Sequence, residues 1–110
     1  MNFNEQPEFI KEFQRLAKKY RSLPDDLTEF KRLVTVRPTG NGKHFHIVKE
    51  TDLAKIVKAR LFCRYLRGSS LRIVYAYWEQ KTVIDFLELY FKGDKENEDR
   101  ERIKNYCASF

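Results

Sequence analysis

"KIVKARLFCRYLRGSSLRIVYAY", residues 55–77, reads as two β-strands joined by a short turn at Gly68 and Ser69. Successive strand residues point to opposite faces, so Val57, Ala59, Leu61 and Cys63 share one face and Lys58, Arg60, Phe62 and Arg64 the other. After the turn, Leu71, Ile73, Tyr75 and Tyr77 alternate with Arg72, Val74, Ala76 and Trp78. If strand pairing keeps the apolar sets together, Arg72 joins Lys58, Arg60 and Arg64 on the face away from the core. A one-residue slip in register turns it inward. Cations therefore sit inside strands, with no acidic residue beside them to pair with.

The flanking segments complete a sheet. "KTVIDFLELYFK", residues 81–92, is apolar on both faces, as in a central strand, and Gly93 stops it; Tyr90 and Lys92 share a parity. "HFHIVKE", residues 44–50, alternates as a further strand, after a turn-rich "RPTGNGK" that holds Pro38, Gly40 and the Asn41-Gly42 pair. Residues 2–5 form a short first strand. Pro7 opens a helix, since Pro is tolerated at a first helical position, and Phe9, Phe13, Leu16 and Tyr20 make its apolar side. Ser22 is a candidate N-cap for a second helix with Leu23, Leu27, Phe30 and Val34 inward; Asp25 and Asp26 suit its N-terminal dipole. Asp94 or Asn97 is expected to cap a last helix, with Ile103 and Tyr106 as its apolar contacts. The expected fold is α+β: an N-terminal helical hairpin on a small antiparallel β-sheet, the helices on one side, with a C-terminal helix, all in a single domain over 1–110.

The 110 residues are 42% hydrophobic and 15% aromatic, enough for a packed core and unlike a disordered chain. No apolar run approaches a membrane span, and "MNFNEQPEF" lacks the basic start and apolar stretch of a signal peptide. Cys63 and Cys107 fit neither a metal-site spacing nor a disulfide framework, so reduced thiols in a cytoplasmic protein are expected. The net charge of +6 is uneven: residues 41–81 carry 9 Lys/Arg against 3 Asp/Glu, and residues 82–110 carry 5 against 7. A localised positive field of this kind attracts polyanions.

A basic, aromatic-edged face suits phosphate, because arginine offers a planar fork of donors and stays charged. A lysine among other cations, Lys58 or Lys92, is a candidate base for an RNA 2′-hydroxyl. Arg60 and Arg72 would stabilise the charge that builds on the attacked phosphate, and Tyr90 or Lys92 would protonate the leaving 5′-oxygen. Arg64, Arg67, Lys95 and Lys43 are candidate RNA-backbone contacts. His44 and His46 are further candidates for proton transfer, ranked below the lysines. No metal cluster or cofactor motif stands out. Composition alone favours nucleic-acid binding over catalysis, since strand cations more often lie on a solvated face.

The order of "FIKEFQRLAKKYRSLPDDL", "KARLFCRY", "GSSLRIVYAY" and "LELYFKGDKEN" resembles the RelE/ParE toxin superfamily. The shared features are a basic strand with Lys58 and Arg60, a glycine turn at Gly68, the Arg72-Ile73-Val74-Tyr75 strand and the Tyr90-Phe91-Lys92 ending. The resemblance implies the toxin of a type II toxin–antitoxin system, monomeric when free and restrained by a cognate antitoxin protein. It implies action on the ribosome and mRNA as a metal-independent endonuclease, with Lys58, Arg60, Arg72, Tyr90 and Lys92 at the catalytic positions. Its alternatives are a ParE-like DNA gyrase inhibitor and a degenerate member that only binds its antitoxin.

Overall fold

The computed structural model describes residues 1–40, 42–67 and 70–110. Asn41, Gly68 and Ser69, and with them the details of the two turns expected there, lie outside the described residues. The elements run β1 (Asn2–Glu5), α1 (Pro7–Lys19), α2 (Leu23–Val36), β2 (Phe45–Glu50), β3 (Lys55–Phe62), β4 (Ser70–Trp78), β5 (Val83–Phe91) and α3 (Arg100–Ala108).

Local chemistry accounts for the two first helices. Pro7 stands at the start of α1, with Glu8 in the first turn and Lys18 and Lys19 in the last, each charge complementing the dipole. Phe9, Leu16 and Tyr20 are buried, as are Leu23, Leu27, Phe30 and Val34 of α2. Ser22 precedes α2 but does not cap it with a side-chain bond to the backbone. Its Oγ donates instead to the Asp26 carboxylate at 2.6 Å and accepts from the Tyr65 N–H at 3.2 Å. The same carboxylate accepts from the Arg64 N–H, which ties the end of β3 to the first turn of α2.

The sheet order is β1-β5-β4-β3-β2. Strands β2 to β5 pair antiparallel, but β1 pairs parallel with β5, so the expectation of a purely antiparallel sheet is corrected. The cause is the connection. The chain leaves β1, runs through both helices and three further strands, and returns as β5 in the same direction beside it. A β-bulge at Leu87 interrupts the β4–β5 register.

The first core lies between α1, α2 and one sheet face, where Val57, Ala59, Leu61, Ile73, Tyr75, Ile84, Phe86 and Leu89 are buried. Each such fully buried large side chain contributes about 1.5–3 kcal/mol. Tyr75 also donates its hydroxyl to the Pro38 carbonyl at 2.7 Å. The expectation that all helices share one side is corrected by a second cluster on the opposite face: Ile56, Val74, Ala76, Leu87 and Tyr90 with Ile103 of α3. Val74, Ala76 and Trp78 make that face too apolar to be left in water, and α3 covers it. The Trp78 indole donates to the Tyr106 hydroxyl at 2.9 Å, and Tyr106 donates to Asp85 at 2.9 Å. The cap of α3 is neither Asp94 nor Asn97 but Asp99, whose Oδ1 accepts from the Arg102 N–H at 3.0 Å. Arg102 in turn donates to Glu12 of α1 and to the Leu87 carbonyl, both at 2.9 Å. Glu12 also accepts from the Leu89 N–H at 3.1 Å, so side chains satisfy the edge of β5 beyond the reach of β1.

Candidate functional site

The register settles where the strand cations stand. Arg60 of β3 lies opposite Arg72 of β4, and Arg72 lies opposite Tyr90 of β5. Directly opposed side chains on one face have Cβ atoms about 4.5–5.5 Å apart, and like charges so placed repel. A sheet selected for stability alone avoids such a pair. Among the described residues, neither arginine forms an ion pair. Arg72 donates through Nη1 to the Ser70 hydroxyl at 2.8 Å, with a longer contact to the Ser70 carbonyl at 3.4 Å. Burial first, and then the Arg60 charge, hold the Arg72 guanidinium below its ordinary pKa, while Tyr90 acts the other way.

Tyr90 closes the row. Burial, reinforced by the Glu98 and Glu88 carboxylates and opposed by Arg72, pushes its phenol up to about 12. It therefore holds its proton at neutral pH, and it stands buried, 3% exposed, in the cluster with Ile103 of α3.

The neighbouring row runs His46, Lys58, Val74, Glu88 across β2 to β5. Here the expectation of unpaired cations needs correction. Lys58 Nζ donates to Glu98 Oε1 at 2.9 Å, and Lys95 Nζ donates to the buried Glu88. Glu88 also accepts from the Asp99 N–H at 2.9 Å, fixing the segment that leads into α3. Burial alone would raise the Glu98 pKa. The hydrogen bond from Lys58 and the charges of Lys58 and Arg100 outweigh it and leave the carboxyl below its ordinary value. Lys58 therefore stands paired with a carboxylate of the chain itself.

The remaining candidates divide. Arg64 is not on the open face: it stands past the end of β3, and its Nε reaches Asp26 at 3.3 Å. Lys43, Arg67 and Lys92 are exposed turn residues, and among the described residues no hydrogen bond or ion pair joins them to the row. Lys95 lies with its ammonium 4.9 Å from the Tyr90 ring centre. His46 faces Lys58 by register, whereas His44, just before β2, meets Phe62 edge-on at 5.6 Å between ring centres. Tyr75 and Phe86 are core. Among the described residues, no group of three or more His, Cys, Asp or Glu is placed to hold a metal ion, and no helix is long and apolar enough to cross a membrane.

The residues missed from the sequence are Glu88 and Glu98. Glu88 had a signal: an acid inside the apolar run "FLELYF" needs a buried partner. Glu98 had none, since it stands in a charged segment, residues 94–102, with seven other acids and bases around it.

A solved structure shares this fold. A chain of the archaeal RelE–RelB complex from Pyrococcus horikoshii OT3 superposes with a TM-score of 0.63 at 21% identity, over 86% of this chain and 97% of that one. The fold is RelE-like. No protein-family model matches the sequence, and no curated protein does. In this RelE-like frame the arginine row lies on the sheet face that α3 covers only in part, next to the Glu98 segment.

Proposed function

We propose that the chain is a type II toxin that cuts mRNA on the ribosome without a metal, in the cytoplasm, until a cognate antitoxin binds it. The observation that supports this reading is the Arg60–Arg72–Tyr90 row: two guanidinium groups without carboxylate partners among the described residues, beside a phenol that keeps its proton, on a RelE-like sheet. The RNA 2′-hydroxyl attacks the adjacent phosphorus, and the bond from phosphorus to the 5′-oxygen breaks. Arg72 and Arg60 stabilise the charge on the phosphoryl oxygens, and Tyr90 donates to the departing 5′-oxygen. The products are a 2′,3′-cyclic phosphate and a 5′-hydroxyl. His46, or Glu98 once parted from Lys58, is the acceptor for the 2′ proton.

A second reading, binding without chemistry, draws on the pairing of Lys58 with Glu98. It covers both a gyrase-directed toxin and a chain that binds only its antitoxin. Expression of the chain alone, with mapping of RNA 5′ ends, separates these. The nuclease reading expects growth arrest, cuts within codons of translated mRNA, and loss of both in a folded Arg72→Ala variant. Intact mRNA with an SOS response, or no arrest at all, refutes it.

A further inference from the structure

At the corner of the sheet where β2 begins, β3 becomes an edge and its side chains reach toward α2. A hollow of about 420 Å³ lies there, lined by Phe30 and Leu33 of α2, His44 and Phe45, and Arg60 and Phe62 of β3. Its size and its mostly apolar lining with a few polar groups are those of a small-ligand site. Three features point to its occupant. Phe62 is 67% exposed, a large ring held in water on a strand that buries its other apolar residues. Arg60, two residues before it, lines the hollow with it, whereas Arg64, two residues after, is held by Asp26, which together with Glu29 also lines the hollow. His44 Nδ1 is buried and has no hydrogen-bond partner among the described residues.

Arg60 belongs both to this hollow and to the row with Arg72, so one side chain links the two. Resting on the nuclease reading of that row, we propose that the hollow is a nucleobase pocket: an RNA strand with its phosphate on Arg60 and Arg72 stacks an adjoining base on Phe62, and His44 Nδ1 meets the base edge. An unpaired arginine beside an exposed aromatic ring is an arrangement that holds a single-stranded backbone and stacks its bases, largely without regard to sequence. A protein side chain entering the hollow would use the ring but has no need of the Arg60 guanidinium that the hollow shares with the arginine row.

The probe is a trinucleotide RNA made uncleavable by 2′-O-methylation, compared by calorimetry with the same trinucleotide lacking its middle base. Phe62 is exposed, so its replacement leaves the core intact. Phe62→Ala is expected to weaken the full trinucleotide about tenfold or more, to leave the abasic one unchanged, and to be rescued by Phe62→Trp. Equal binding of the two probes by the unaltered protein, or no effect of Phe62→Ala while Arg72→Ala abolishes binding, overturns the pocket and leaves the arginine site standing. Loss of a co-purifying protein from Phe62→Ala with unchanged trinucleotide affinity assigns the hollow to a protein partner and also overturns it. If Arg72→Ala leaves both probes bound as before, the phosphate site itself fails, and the pocket that depends on it falls with it.

Discussion

Replacing Glu98 by Gln tests whether the chain restrains its own basic face. The Glu98 side chain is 7% exposed and its partner Lys58 is 24% exposed, so their 2.9 Å contact is poorly screened. A hydrogen bond between charged groups in such a place contributes about 1.5 kcal/mol. For 110 residues, an unfolding entropy near 2.1 cal/mol/K per residue converts that loss into a Tm lower by about 6 °C. The sign with pH follows from the depressed Glu98 pKa. The carboxylate's contribution is present above its unfolded pKa and is lost as pH falls through the folded one. The gap between Glu98→Gln and the unaltered protein should therefore be full at pH 7 and close in acid, where Glu98 is itself neutral. Binding moves the opposite way. Releasing Lys58 adds one cation to the face, so affinity for single-stranded RNA rises, and its slope of log K against log salt steepens by about 0.7. Calorimetric melts from pH 7 to acid, with RNA titrations at several salt concentrations, read both effects. A variant with unchanged Tm at pH 7 and an unchanged salt slope refutes the claim that Glu98 restrains Lys58.

Asp85 is the reverse case. Burial, against hydrogen bonds from Tyr106 and Gln6, raises its pKa, and its Oδ1 has no partner among the described residues. Its ionisation opposes folding, so stability falls as pH rises from the unfolded pKa toward the folded one, and Asp85→Asn should be more stable than the parent at pH 8 but not below about pH 3.9; urea titrations at both pH values check this. Tyr75→Phe removes the donor to the Pro38 carbonyl from a fully buried site, and a loss of about 1–2 kcal/mol in urea unfolding is expected, with the sheet unchanged by circular dichroism.

The candidate site was half legible. Alternation alone puts Lys58, Arg60 and Arg72 on one face, given the pairing that keeps Val57, Ala59 and Leu61 with Leu71 and Ile73, and the register has that pairing. Alternation is silent on what lies above the face. Lys58 meets an acid 40 positions away, and Lys95 folds back onto Glu88 from the turn after β5. Arg64 shares the parity of Arg60 but stands beyond the last strand residue, where parity no longer governs direction and Asp26 draws it toward α2.

What the amino-acid order determined by itself is local: the inward sides of α1 and α2, the two-residue alternation of β3 and β4, and the doubly apolar β5. Each follows from a backbone repeat and the exclusion of apolar groups from water, which act over a few residues. Only the tertiary structure decided that β1 runs parallel to β5, that α3 crosses to the second face, and that Glu98 rather than solvent meets Lys58. Those outcomes depend on which distant surfaces bury each other best once the whole chain is compact. No local repeat encodes that competition.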